Sequence, residues 1–318
     1  MTRHLRLGAR GSALAVAQAE RVADRLRRAH AGLAVTVRTV TTQGDLHRSG
    51  AVWDFGVRGV FVKELEEALL AGDIEVAVHS AKDLPSELPD GLVLAAVPER
   101  LDARDALVSA GGGTLADLPP GARVGTGAPR RQAQLGQTRP DLRFLAVRGN
   151  VDTRLELRRR GDVDAVVLAM AGLLRLGRVD ADVLPLPIEQ CVPAPGQGAL
   201  ALEARASDGA TRALLQPIDE PLARAEVIAE RAVVAALAAG CTVPLGVLGK
   251  GSGSELELVG AVSGPPGDEL IRETAHGPLA DPASVGRRVA DALQRRGADE
   301  LLRAARSAMR GGNEPPES

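Results

Sequence analysis

Cysteine, lysine and aromatic residues are all scarce in this chain of 318 residues. The 2 cysteines, at positions 191 and 241, exclude a disulfide framework and a cysteine-rich metal site. The 5 histidines, at positions 4, 30, 47, 79 and 276, show no metal-ligand spacing. Tyrosine is absent, and Trp53, Phe55, Phe61 and Phe144 complete the aromatic set, too few to stack single-stranded bases. A formal net charge of -2 offers polyanions no attractive field, so no nucleic-acid partner is expected. No apolar run approaches the roughly 20 residues that span a bilayer, and no membrane partner is expected. After Met1-Thr2-Arg3-His4 the pattern is a short strand rather than an apolar leader, so the cytoplasm is the expected compartment.

What is present is the balance of a folded protein: 45% hydrophobic and 25% charged residues, in a length that suits two or three domains. Lys63, Lys82 and Lys250 are the only lysines among 39 cations; the rest are arginine. A coding bias accounts for the count. Clustering would instead mean carboxylate or phosphate recognition, because the guanidinium fork binds such groups bidentately.

The first two-thirds alternates strands and helices. Strand patterns at Leu5–Ala9, Ala34–Val40 and Ile74–Val78 are interleaved with helical ones at Ala13–Arg28 and Val60–Ala71. A second cycle has strands at Arg123–Thr126, Leu142–Val147 and Val163–Ala169. Its helices are expected at Arg130–Thr138, Thr153–Arg160 and Gly172–Leu176. The cycles resemble each other: Gly72-Asp73-Ile74-Glu75-Val76 aligns with Gly161-Asp162-Val163-Asp164-Ala165. Two similar, mostly parallel-sheet α/β domains facing a cleft are expected, with chemistry at the carboxyl ends of the strands. Thr42–Gly59 is long for a βα loop and reads as a mobile flap or a plain insertion. From Glu226 a smaller α/β domain follows: a helix to Ala239, strands near Val243–Leu248 and Leu256–Val262, then helices at Pro282–Arg296 and Asp299–Ser307. Asp281 suits its N-cap position. The expected domains are 1–98 with 199–216, 99–198, and 217–310, followed by a tail at 311–318.

His79-Ser80-Ala81-Lys82-Asp83 follows a buried-looking strand, where it forms either a site or a solvated loop with Asp83 capping a turn. Arginines recur at comparable turns: Arg10, Arg130-Arg131, Arg148, Arg154 and Arg175. Pro129 suits the first position of a helix whose free N–H groups favour anions beside Arg130 and Arg131. Converging on one cleft, these cations point to a ligand with several carboxylates or phosphates. Nucleotide cradles fit less well, since neither a Walker lysine-serine pair nor a complete dinucleotide glycine fingerprint occurs. Cys241 follows Ala238-Ala239-Gly240, with Gly240 read as the helix-ending residue. The cysteine is either an exposed nucleophile or, more plainly, a small packed hydrophobe. Cys191 reads only as packed.

Six segments together resemble the porphobilinogen deaminase (hydroxymethylbilane synthase) family. They are His79-Ser80-Ala81-Lys82-Asp83-Leu84-Pro85, Gly59-Val60-Phe61-Val62-Lys63-Glu64-Leu65, Gly125-Thr126 through Arg130-Arg131-Gln132, Arg148-Gly149-Asn150-Val151-Asp152-Thr153-Arg154, Pro195-Gly196-Gln197-Gly198-Ala199 and Gly240-Cys241-Thr242-Val243-Pro244. With their flanks they cover about residues 5–307.

The resemblance implies a periplasmic-binding-protein-like pair of domains and a transferase of haem biosynthesis. Such an enzyme joins porphobilinogen units head to tail into hydroxymethylbilane, with loss of ammonia. It implies a dipyrromethane cofactor attached by a thioether to Cys241, and Asp83 as the catalytic carboxylate. Lys82, Ser80, Thr126, Arg130, Arg131 and Arg154 would hold the cofactor; Arg10, Ser12, Arg148 and Arg175 would hold porphobilinogen and the growing polypyrrole chain. Gln197 marks a further matched motif. No metal, and no obligatory protein partner beyond a monomer, is implied. Two departures stand out: Gly127-Ala128-Pro129 replaces the usual serine-serine-leucine, and Arg58 replaces a lysine in the flap segment. The alternative is a non-enzymatic two-domain anion-binding protein, or the ligand-sensing half of a regulator.

Overall fold

The computed structural model describes residues 4–41, 62–239, 243–265 and 269–311. Strand β1 (His4–Arg10) buries Leu5, Leu7 and Ala9 on alternate positions, and Ser12 then caps helix α1 (Ala13–Ala29) through a bond from Ala15 N. Ala19, Val22, Ala23 and Leu26 form the buried stripe of that helix. Strand β2 (Ala34–Val40), helix α2 (Lys63–Ala71), strand β3 (Val76–Ser80) and strand β4 (Leu92–Ala96) follow. The segment Thr42–Gly59, with Arg58, lies outside the described residues.

The chain then crosses to a second unit. It begins with β5 (Asp105–Ser109), β6 (Arg123–Gly125), α3 (Pro129–Thr138), β7 (Arg143–Leu145) and α4 (Val151–Arg159). It continues with β8 (Ala165–Ala169), α5 (Met170–Leu176) and β9 (Val183–Pro185). A return crossing leads to β10 (Leu200–Arg205) and α6 (Gly209–Leu215).

Each unit is built on a five-stranded sheet, ordered β2-β1-β3-β10-β4 and β7-β6-β8-β5-β9. The orders match position for position. In each, three parallel strands are followed by one antiparallel strand, β10 or β5, the first strand after a chain crossing. The parallel strands agree with the expected fold; β4, β5, β9, β10 and α6 went unread. The two crossings touch, with Leu101 N donating to Gly198 O at 3.2 Å. Gly198 has φ +89°, and a Cβ there would sit 2.5 Å from the carbonyl oxygen of Leu101, so only glycine fits.

The last unit packs α7 (Pro221–Ala236) and α8 (Pro282–Arg295) on an antiparallel sheet of β11 (Leu245–Ser252), β12 (Glu255–Ser263) and β13 (Leu270–Pro278). Asp281 accepts from Ser284 N, as expected of an N-cap. Helix α9 (Ala298–Gly311) closes the described chain and takes in Gly311, read from sequence as tail. Two readings are corrected here. Helix α7 begins at Pro221 and ends at Ala236, so Gly240 is not its stop; Ala238 takes the left-handed position, at φ +44°. Strand β3 runs two residues further than expected and so contains His79 and Ser80.

Candidate active site

The end of β3 sets the site. Ser80 closes the strand, and Ala81–Asp83 form a single 3-10 turn, fixed by Leu84 N donating to Ala81 O at 3.3 Å. The turn is also held from behind, where Ala81 N donates to Ala199 O at 3.0 Å. Gly196, at φ +75°, presses so close that a Cβ there would meet the Lys82 nitrogen at 2.8 Å. Asp83 emerges half-buried into a recess it shares with Arg10, Ser12, Gln18, His79 and Ser80. Gln18 Nε2 donates to Ser80 Oγ at 3.0 Å, which fixes the hydroxyl at the rim.

Lys82 points the other way, toward the crossings. Its Nζ donates to Gln197 Oε1 at 3.5 Å, and Gln197 Nε2 donates to Asp105 Oδ1 at 2.9 Å. Asp105, fully buried at the start of β5, then takes both arginines of α3: Arg130 Nη1 lies 2.7 Å from Oδ2 and Arg131 Nη2 lies 2.7 Å from Oδ1. Burial alone would raise the Asp105 carboxyl. Arg130 and Arg131 outweigh it and hold the group well below the usual carboxylate range. Sequence reasoning missed this residue, although an acid opening an otherwise apolar strand is itself a signal. Arg130 spends only Nη1 on Asp105, Cys191 Sγ and Val192 O, leaving Nε and Nη2 without a partner among the described residues. Arg131 also donates from Nη1 to Val167 O at 2.8 Å.

The remaining expected residues follow the ends of strands β6, β7 and β8 in the second unit. Thr126 is buried; its Oγ1 accepts from Ala128 N at 3.2 Å, ordering the Gly127-Ala128-Pro129 turn. Arg154 is half-buried, donating from Nε to Gly149 O at 3.0 Å. Burial, then the charge of Arg131, pulls its pKa down to about 10. Arg175 is buried, donating from Nη2 to Gly198 O at 2.7 Å, and burial followed by the charge of Arg21 brings its pKa to about 10. Neither guanidinium meets a carboxylate among the described residues. Arg148 is exposed beyond β7, which ends at Leu145 rather than Val147. Burial brings the Lys82 ammonium down to about 8 despite the neighbouring Asp83 charge. Cys241 lies outside the described residues, between Ala239 and Val243, both buried in one apolar cluster. Cys191 is buried, and its thiol is pushed up to about 12 by burial and by Asp105.

Desolvated cations without carboxylates of their own fit a ligand that brings several. Residues 5–213 match the family model "Porphobilinogen deaminase, dipyromethane cofactor binding domain", and residues 224–295 match the porphobilinogen deaminase C-terminal domain. This chain belongs to the porphobilinogen deaminase family. The cofactor-binding match of that family takes in both five-stranded sheets, and the C-terminal match falls on the third unit. The porphobilinogen deaminase of Roseiflexus castenholzii is 47% identical over 302 residues, covering 95% of this chain and 99% of that protein. That of Pelotomaculum thermopropionicum is 44% identical over 310 residues, covering 98% and 99%. Among solved structures, a TRAP periplasmic solute binding protein from Desulfovibrio salexigens covers 69% of this chain and 73% of its own, at 12% identity and a TM-score of 0.39. Among the described residues no helix is long and apolar enough to cross a membrane.

Proposed function

We propose that this chain condenses four porphobilinogen units head to tail into hydroxymethylbilane, releasing ammonia at each addition. The observation that carries the reading is Asp83 in the turn after β3, in a recess it shares with Arg10, in a chain that matches the deaminase family over nearly its whole length. When bound through Cys241, the dipyrromethane supplies the pyrrole end to which the units are joined.

The chain's own residues supply the rest. The Asp83 carboxylate stands beside the pyrrole N–H of the incoming substrate and stabilises the positive charge that develops as ammonia departs. The same carboxylate accepts the ring proton lost when the new carbon–carbon bond restores aromaticity. Arg10, with Ser12 beside it, takes a substrate acetate or propionate at the recess, and Arg148 and Arg175 take others from the far side. Lys82, Ser80, Thr126, Arg130, Arg131 and Arg154 hold the cofactor carboxylates. Arg130 and Arg131 do so from a base already fixed by Asp105, so their remaining N–H groups are pre-aimed.

Names of the relatives support an enzyme rather than the anion-binding alternative. The membership of β4 and β10 in the first sheet supports domains at 1–98 with 199–216, 99–198 and 217–310. A cytoplasmic monomer belongs to the same proposal, to be checked by fractionation and sedimentation. The deciding experiment is intact mass after denaturation, together with product analysis after addition of porphobilinogen. The expected mass is the chain plus two porphobilinogen units less two ammonias, with hydroxymethylbilane released. A chain of unmodified mass that forms no product would overturn the reading.

A further inference from the structure

Behind the recess lies a buried acid cluster that the chemistry above leaves unused. His79 and Glu203 extend from the neighbouring strands β3 and β10, and His79 Nε2 lies 3.1 Å from Glu203 Oε2. Their side chains are 3% and 0% exposed. Glu66, on α2, is buried too, and Glu203 and His79 lie near enough to act on its charge. One oxygen of each acid, Glu66 Oε1 and Glu203 Oε1, is buried without a hydrogen-bond partner among the described residues. Two buried carboxylate oxygens with no donor form an arrangement that proteins avoid. A single proton shared between the acids satisfies both, since a protonated carboxyl donates where a carboxylate only accepts.

The surrounding charges favour that proton on Glu66. Arg231, on α7, lies close enough to act on Glu203, and it donates to Ser86 O at 2.9 Å and Leu84 O at 3.5 Å, below the Asp83 turn. Glu203 therefore has a cation and His79 beside it. Glu66 faces the Glu203 charge and has Glu67 on its own helix; burial first, then Glu203, raises its pKa, with His79 opposing. A proton on His79 instead would leave both Oε1 atoms unsatisfied.

We propose that Glu66 donates a retained proton to Glu203, and that Glu203 in turn fixes neutral His79 with Nε2–H toward itself, so that Nδ1 is an acceptor for an N–H donor of the bound pyrrole substrate. His79 lines the recess together with Arg10, Ser12, Ser80 and Asp83. With Nε2 committed to Glu203, Nδ1 is the ring nitrogen left for a ligand. Arginines read the carboxylates there and Asp83 the pyrrole N–H and the developing charge, whereas His79 reads the other N–H donor of the substrate, its aminomethyl group. Glu66 and Glu203 act as positioning residues. The inference rests on the proposed reaction, but its first test does not.

Nitrogen-15 NMR of histidine-labelled protein reads the His79 tautomer directly, without substrate. The expected spectrum is that of a neutral ring protonated at Nε2 and bare at Nδ1. Infrared difference spectra between wild type and Glu66→Gln should lose one protonated-carboxyl carbonyl band. A ring protonated at Nδ1 or at both nitrogens, or the absence of that band, would overturn the arrangement whether or not the chain makes hydroxymethylbilane. For function, Glu203→Gln should raise KM for porphobilinogen about tenfold with a smaller change in kcat, the pattern of lost binding rather than lost chemistry. Glu66→Ala should do likewise, whereas Glu66→Gln, whose amide can donate to Glu203, restores KM to within about threefold. An unchanged KM in correctly folded Glu203→Gln, or no rescue by glutamine at 66, would remove His79 from substrate binding.

Discussion

Arg100 and Glu230 form a buried, two-pronged pair, with Nη1 to Oε1 at 2.7 Å and Nη2 to Oε2 at 3.2 Å. It joins the first chain crossing to helix α7 of the third unit. Glu230 also accepts from Gly196 N at 2.5 Å and Gly249 N at 2.7 Å, so one carboxylate ties both crossings to the C-terminal sheet. Arg100 Nε meanwhile donates to Gln197 O at 2.9 Å. Replacing Arg100 by leucine leaves that carboxylate buried and unpaired. A loss of about 3–5 kcal/mol in urea unfolding is expected; a loss under about 1 kcal/mol would mean that water reaches the pair.

The Asp83 prediction separates charge from shape. Asp83→Asn should lower turnover by about a hundredfold or more while keeping the covalent adduct, because the developing cation loses its counter-charge. Asp83→Glu should retain part of the activity. Near-normal turnover in the asparagine variant would place the working carboxylate elsewhere.

The two cysteines should behave oppositely. Cys241→Ala is expected to abolish the adduct and activity in folded protein, whereas Cys191→Ala keeps both. The thiol of Cys191, held up at about 12, stays protonated at neutral pH, so iodoacetamide should leave it unmodified in native protein. An adduct surviving on the Cys241 variant would sink the assignment.

Lys82 carries a pH signature. Its ammonium titrates near 8 in the fold, below its ordinary 10.5, so its charge fades as pH rises through that range. By the same shift, the folding penalty of the buried charge is full below about 8 and disappears toward 10.5, which makes this group's effect on stability more favourable at higher pH. Carboxylate binding should run the other way and weaken from pH 7 to 9. Measured as cofactor loading of apoprotein against pH, that fall should flatten in Lys82→Arg, whose guanidinium stays charged. A fall of equal size in the arginine variant would assign the titration to another group.

Much of this was legible because the local pattern carried it. Strands β1 and β2 alternate, Gly72 and Gly161 stop helices before strands, and His79 to Asp83 sit at a strand end. What escaped notice was set by distant partners. Strand β10, which contains Glu203, goes unread as a strand until its neighbours β3 and β4 are known. Arg130 and Arg131 were visible as a pair, but their anchor, Asp105, lies in another strand. Nothing in the intervening sequence links them. Ala238, taking a left-handed conformation that usually selects glycine, likewise hid the true end of α7.

The place of β10 between β3 and β4 also dictates an order of events during synthesis. When the first 96 residues have left the ribosome, β3 and β4 are both made, but the strand that lies between them ends only at Arg205. Until then the nascent chain exposes two unpaired edges, the kind of surface that recruits foreign strands. The second sheet, whose strands all lie between Asp105 and Pro185, can close first. The amino-terminal unit is thus begun first and completed last, and a chain stopped just short of Leu200 is left with that gap open.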